Sequence, residues 1–158
     1  MNTDNHYPPL SSYLTVHDGA GAIAFYQVAF GATELYRLTD PQNGKVGHAE
    51  LTVNGCLIML SDEYPEWGRA SPKTLGGTPV SHCLIVDNAD TAIERAVAAG
   101  AVVKMPVADQ FYGFRSGSVV DPFGHEWMIQ HEIEKVSPEE MQRRWDAMGS
   151  GCNTADQT

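Results

Sequence analysis

The sequence predicts an α+β fold: two βαβββ modules whose curved mixed sheets enclose a cup, with one further helix near the C-terminus. Two segments align at an offset of 69 residues, DGAGAIAFYQVAFGA from Asp18 and DNADTAIERAVAAGA from Asp87, so the chain carries an internal repeat. One short β-prone run precedes each segment and three follow it. At 158 residues, 42% of them hydrophobic, the chain is long enough for one domain of roughly 150 residues.

Taken in order, residues 11–16 form the first β-prone run. Asp18 can cap the helix that follows, its alanine-rich middle has high helix propensity, and Gly31 stands where a left-handed residue ends a helix. Strands follow at 33–39, 46–53 and 56–60, separated by PQNG and by Asn54-Gly55, a strong hairpin signal between alternating hydrophobics. The second copy reads the same way: a run at 81–86, a helix capped by Asp87 or Asn88 and ended by Gly100, and strands at 102–107, 116–120 and 127–132. Asp121-Pro122-Phe123-Gly124 makes its last turn. Ser137-Pro138-Glu139-Glu140 supplies an N-cap, a proline at N1 and a glutamate at N3, which starts a helix running to about Met148. The single domain of 1–158 thus divides into module one at about 10–62, a Gly- and Pro-rich linker at 63–78, module two at about 79–134, the helix 137–148 and a frayed tail.

A four-stranded sheet with one helix buries only the face that the helix covers, so two copies side by side leave an open, curved face that suits a ligand. Strand alternation assigns its lining. From the first module come Ser11, Tyr13 and Thr15, then His48, Glu50 and Thr52, then Leu57, Met59 and Ser61, while Ala49, Leu51 and Val53 go under the helix. From the second come Ser81, Cys83 and Ile85, then Arg115, Gly117 and Val119, then Glu126, Met128 and Gln130. A one-residue slip inverts such an assignment and would bring in His82 and Trp127 for Ser81 and Met128.

The formal net charge of −10 repels phosphate backbones and anionic lipid heads, so neither nucleic acid nor a membrane surface is an expected partner. No apolar run reaches the roughly 18 residues of a membrane span, and MNTDNHYPPL lacks the basic start and apolar core of a secretory signal. The expected location is cytoplasmic. Cys56, Cys83 and Cys152 form no spaced cluster and read as reduced thiols.

The helix AIAFYQVAFGA, the hairpin GHAELTVNGCLIMLSDE, the linker SPKTLGGTPVSH and the closing YGFRSGSVVDPFGHEW...VSPEEMQRR occur in that order within paired βαβββ modules. Together they resemble the vicinal oxygen chelate superfamily, and within it the PhnB-like branch of glyoxalase/bleomycin resistance proteins, from about residue 9 to 148. The resemblance implies that fold and a homodimer, to which Met141, Trp145 and Met148 would add a contact stripe unless they pack on their own chain. Metal-dependent members of the superfamily hold a divalent ion with His or Glu on the first and last strand of each module, and the ion binds both substrate oxygens. The matching positions here are Ser11, Met59, Ser81 and Met128, none a good ligand for a hard cation, so no metal and no other cofactor is expected at them.

His48 and Glu50 lie two apart on one strand and share a face. They are either polar cup residues paired with Arg115, or two ligands of a relocated metal completed by His82 or Glu126. Arg115, between Gly113 and Gly117, suits either a clamp on a carboxylate or phosphate or a fixed bridge to Glu50. Tyr13, Trp67, Phe111, Tyr112 and Phe114 as a group suit an aromatic-lined pocket for a flat organic molecule, though each singly reads first as a packing residue. The candidate ligand-binding set is His48, Glu50, Arg115, Tyr13, Trp67, Met59, Met128, Phe111 and Tyr112. Two functions follow: a protein that binds a small organic ligand without the family's usual metal, or a lyase, isomerase or dioxygenase with a relocated metal or none.

Overall fold

The computed structural model describes residues 7–150. In the first half, β1 (Ser12–Val16) leads into α1 (Gly19–Phe30), followed by β2 (Thr33–Thr39), β3 (Val46–Val53) and β4 (Cys56–Asp62). A 3-10 turn at Pro65–Trp67 and a short helix α2 (Pro72–Leu75) stand in the connecting segment. Then come β5 (Ser81–Ile85), α3 (Ala89–Ala98), β6 (Val102–Asp109), β7 (Phe114–Val120), β8 (Glu126–Glu132) and α4 (Pro138–Ser150). The strands form two four-stranded sheets in the orders β1-β4-β3-β2 and β5-β8-β7-β6. In each the outer first strand is parallel to the last, and the other pairs are antiparallel.

The boundaries follow from local chemistry. The Asp18 carboxylate accepts from Gly21 N at 2.9 Å to start α1, and Gly31 ends it at φ 66°. In the second half the cap is Asn88, whose side chain accepts from Thr91 N at 3.0 Å. Asn54 and Gly55 both have positive φ, 47° and 77°, as a type I′ hairpin turn between β3 and β4 requires. The tail expected from Gly149 is corrected at its start, since α4 runs on through Gly149 to Ser150, and its remainder, 151–158 with Cys152, lies outside the described residues. Among the described residues no helix is long and apolar enough to cross a membrane.

One apolar core runs through both halves. Leu51 and Leu60 from the first sheet, Val119 and Ile129 from the second, and Ile23 and Tyr26 from α1 are fully or almost fully buried. Tyr26 and Phe30 of α1 pack on Trp127 of β8, with ring centroids 5.5 and 4.7 Å apart. Asp121, 2% exposed, joins the halves: Oδ2 accepts from the Tyr26 hydroxyl (2.7 Å) and the Trp127 indole (2.9 Å), and Oδ1 from the backbone of Phe123 and His125 (2.9 Å each). The halves also touch where the Ser12 hydroxyl of β1 is 3.4 Å from His82 Nδ1 of β5, where the Asn54 side chain donates to Ile85 O (2.7 Å) and where His125 Nε2 contacts Thr15 O (3.0 Å).

One expectation about facing is corrected. β7 pairs with β8 so that Ser116 lies opposite Gln130 and Ser118 opposite Met128. The serines therefore share the open face with Met128, and Arg115, Gly117 and Val119 turn toward α3. The helix decides this: Val119 is wholly buried, a side chain at Gly117 would meet Ile93 Cδ1 at 2.7 Å, and Arg115 reaches Asp90 at the start of α3. Trp127 is in the core, so the slipped alternative for β8 does not occur.

Candidate functional site

The open face of the first sheet gathers side chains through the register of its strands. Tyr13 on β1 and Glu50 on β3 both lie opposite Met59 on β4, and alternation puts His48 on the same side as Glu50. The Tyr13 hydroxyl is 3.0 Å from His48 Nδ1, and His48 Nε2 is 3.3 Å from Glu50 Oε1. Two more tyrosines end on that oxygen: Tyr36 from β2 and Tyr7 from the segment before β1 each donate to Glu50 Oε1 at 2.8 Å. Tyr13 and Tyr36 flank the His48 ring with centroids 5.6 and 5.7 Å away. Arg69 lies 4.8 Å over the Tyr13 ring and reaches Ser61 Oγ at 3.3 Å.

Glu50 is only 6% exposed. Burial pushes its carboxyl up, yet the hydrogen bonds from Tyr36, Tyr7 and His48 outweigh it and hold the group below the usual carboxylate value. The same bond to Glu50 pushes the Tyr36 phenol well above its ordinary range. A cavity of about 640 Å³ opens beside Glu50 between the Tyr7–Leu10 segment and the sheet, walled by Leu35, Thr52, Cys56 and Leu57.

The open face of the second sheet carries a different set. Glu126 on β8 is bonded by Ser81 (3.2 Å) and by Lys104 (2.5 Å), which, together with Ser81, hold its carboxyl below the usual value. These groups, with Met128, Tyr112, Ser118 and Met105, line a cavity of about 330 Å³. The Ser118 Oγ and Gln130 Oε1 atoms on this face are buried without a partner.

The nine sequence candidates are therefore split. Tyr13, His48, Glu50 and Met59 come together on the first sheet, and Met128 and Tyr112 on the second. Arg115 joins neither: it grips Asp90 through Nε and Nη2 (2.7 Å each) and Asp109 through Nη1 (2.8 Å), so both its expected bridge to Glu50 and its role as an inward clamp are corrected. Trp67 is exposed and stacks on Tyr64 at 4.7 Å. Phe111 packs against Trp145 of α4 at 5.5 Å.

The donors at the family's metal positions do not suit a divalent ion. Ser81 is spent on Glu126, Ser11 Oγ is a buried lone hydroxyl, and Met59 and Met128 offer thioethers. Among the described residues no three His, Cys, Asp or Glu side chains converge as a metal site, so His48 and Glu50 find no third ligand in His82 or Glu126.

Three contributors escaped sequence reasoning: Tyr7, Tyr36 and Arg69. Tyr36 had a local signal, since it sits on a strand next to the one bearing Glu50 and alternates onto one face. Tyr7 lies 43 positions from Glu50 in an extended Pro-rich stretch, with no pattern to aim it.

Known proteins agree with this architecture. The description Glyoxalase/Bleomycin resistance protein/Dioxygenase superfamily matches residues 5–129. The uncharacterized protein Rv0887c of Mycobacterium tuberculosis is 43% identical over 150 residues, 93% of this chain and 88% of that one. The crystallised At5g48480 gene product of Arabidopsis thaliana has a TM-score of 0.63 at 29% identity, covering 78% of this chain and 98% of its own. A PhnB protein from Bacillus cereus shares the fold with a TM-score of 0.63 at 19% identity, over 78% of this chain and 99% of its own. With two βαβββ halves in the expected topology and a family match over most of its length, the chain belongs to the glyoxalase/bleomycin resistance protein/dioxygenase superfamily.

Proposed function

We propose that this PhnB-like chain, acting as one domain with modules at about 10–62 and 79–134, binds a small organic ligand on the open face of its first sheet, without the family's usual metal. The observation that carries the reading is the Glu50 carboxylate, nearly buried, ringed by Tyr7, Tyr36 and His48, and bordering a cavity of about 640 Å³. Ligand sites place a few fixed polar groups in a largely apolar concave wall, and this carboxylate with its three partners beside the cavity is such a group. Native mass spectrometry of freshly purified protein tests it. A retained or added small molecule that protects Tyr36 and Glu50 from hydrogen exchange or shifts their resonances supports the site, and a ligand that perturbs only the second sheet overturns it.

A homodimer in the cytoplasm is part of this reading. The apolar residues Leu38, Met105, Trp145 and Met148 are all more than half exposed, and a second copy would cover such surface. Light scattering at micromolar concentration should give about twice the 17.2 kDa chain mass, and the monomer mass would reject pairing.

One observation favours an enzymatic alternative. Glu50 orients His48, and His48 in turn contacts the Tyr13 hydroxyl, an order of groups that serves general acid–base chemistry without a metal. Under that reading His48→Gln would retain ligand but stop its conversion. Retention and conversion both unchanged would exclude it.

A further inference from the structure

We propose that the cavity beside Glu50 takes the protonated nitrogen of an organic cation, an alkylammonium or amidinium carried on a small apolar body. The inference names the ligand class of the open-face site and rests on that reading. Its starting point is an imbalance of charge. Glu50 is almost buried, and among the described residues no lysine or arginine pairs with it. Its three hydrogen bonds among the described residues all end on Oε1, two of them from neutral phenols. Oε2 accepts no hydrogen bond among the described residues, and the cavity lies beside the Glu50 side chain. A carboxylate largely withdrawn from water is stabilised most by a positive donor that arrives at it.

The surroundings point the same way. The cavity walls are Leu10, Leu35 and Leu57 with the Tyr7 segment, which suit a small hydrocarbon body. The aromatic rings of Tyr13, Tyr36 and His48 stand around the carboxylate, and one of them already carries a cation, since Arg69 lies over the Tyr13 ring at 4.8 Å. An anion would meet repulsion from Glu50 and from a chain of net charge −10. Of the arginines that could receive it, Arg115 is held on the far side of the other sheet by Asp90 and Asp109, and Arg69 is laid over the Tyr13 ring with a bond to Ser61.

Three probes with one phenyl body test the class: benzylamine, benzyl alcohol and benzoate, titrated at pH 7 and low salt with chemical shifts read at Glu50 and Tyr36. Benzylamine should bind about tenfold tighter than benzyl alcohol, and benzoate weakest. Glu50→Gln should bring amine and alcohol within about twofold of each other. Because that variant removes a buried acceptor, Thr52→Lys is the companion: it sets a resident ammonium in the same cavity and should abolish amine binding while a melting curve still shows a folded protein. Equal affinity for amine and alcohol, with shifts at Glu50, overturns the cation class but leaves the open-face site standing. Benzoate binding as tightly as benzylamine does the same. Binding by none of the three overturns the cation class and the open-face site together.

Discussion

Asp121→Ala should be among the most damaging single changes outside the binding face. The carboxylate accepts four hydrogen bonds, and its removal strands the Tyr26 hydroxyl and the Trp127 indole N–H where those side chains are 0% and 4% exposed. Each stranded buried donor costs about 1–3 kcal/mol, and the backbone N–H groups of Phe123 and His125 lose their acceptor as well, so the total loss is about 4 kcal/mol. For a domain of this length that corresponds to a fall of roughly 8–16 °C in melting temperature. Asp121→Asn should do little better, because each carboxylate oxygen serves donors: an amide nitrogen at Oδ2 would face the Trp127 N–H, which cannot reverse its role, and at Oδ1 it would face two backbone N–H groups. Tyr26→Phe removes one donor without stranding another and should cost only about 1 kcal/mol. Calorimetric melting of the three variants makes the comparison. A loss below about 1 kcal/mol for Asp121→Ala, or an equal loss for Tyr26→Phe, would refute the account.

Other expectations follow from the same geometry. Tyr26 titrates well above its ordinary value because of burial and then the Asp121 charge; a raised folded value gives stability that is complete below the unfolded phenol pKa and is lost as pH rises beyond it. Alkaline melting curves should therefore fall above roughly pH 10, and less steeply in Tyr26→Phe. Glu50 has the opposite sign: its lowered value contributes stability above the ordinary carboxylate range that is lost as pH falls through the folded value, so Glu50→Gln should flatten the acid limb of a pH–stability curve. Arg115→Ala should leave ligand affinity unchanged in a calorimetric titration and lower the melting temperature less than Asp121→Ala does, since its ion pairs are partly exposed. Gly113→Ala should destabilise sharply in a melting curve, because the residue sits at φ 87° and an added Cβ would overlap the Glu134 carbonyl.

The Asp18 cap and the Asn54-Gly55 hairpin were legible in the sequence because each depends on neighbours within a few positions, and the duplicated modules because the same local pattern recurs at an offset of 69. The facing of β3 was legible too, since VGHAELTV alternates cleanly and Ala49, Leu51 and Val53 can only be the buried set. FRSGSVV offered no such contrast: polar or small residues occupy both faces, so alternation leaves two choices. Contacts from α3, Ile93 against Gly117 and Asp90 on Arg115, made that choice and carried the arginine away from the candidate site. The candidate site divides along the same line. Its placement of Tyr13, His48, Glu50 and Met59 comes from strand period, a local property, whereas the partners that give Glu50 its charge state arrive from 14 and 43 positions away along the chain. Only the closed tertiary structure brings such distant groups within hydrogen-bonding reach, because what aims them is the packing of other segments and not the pattern of their own.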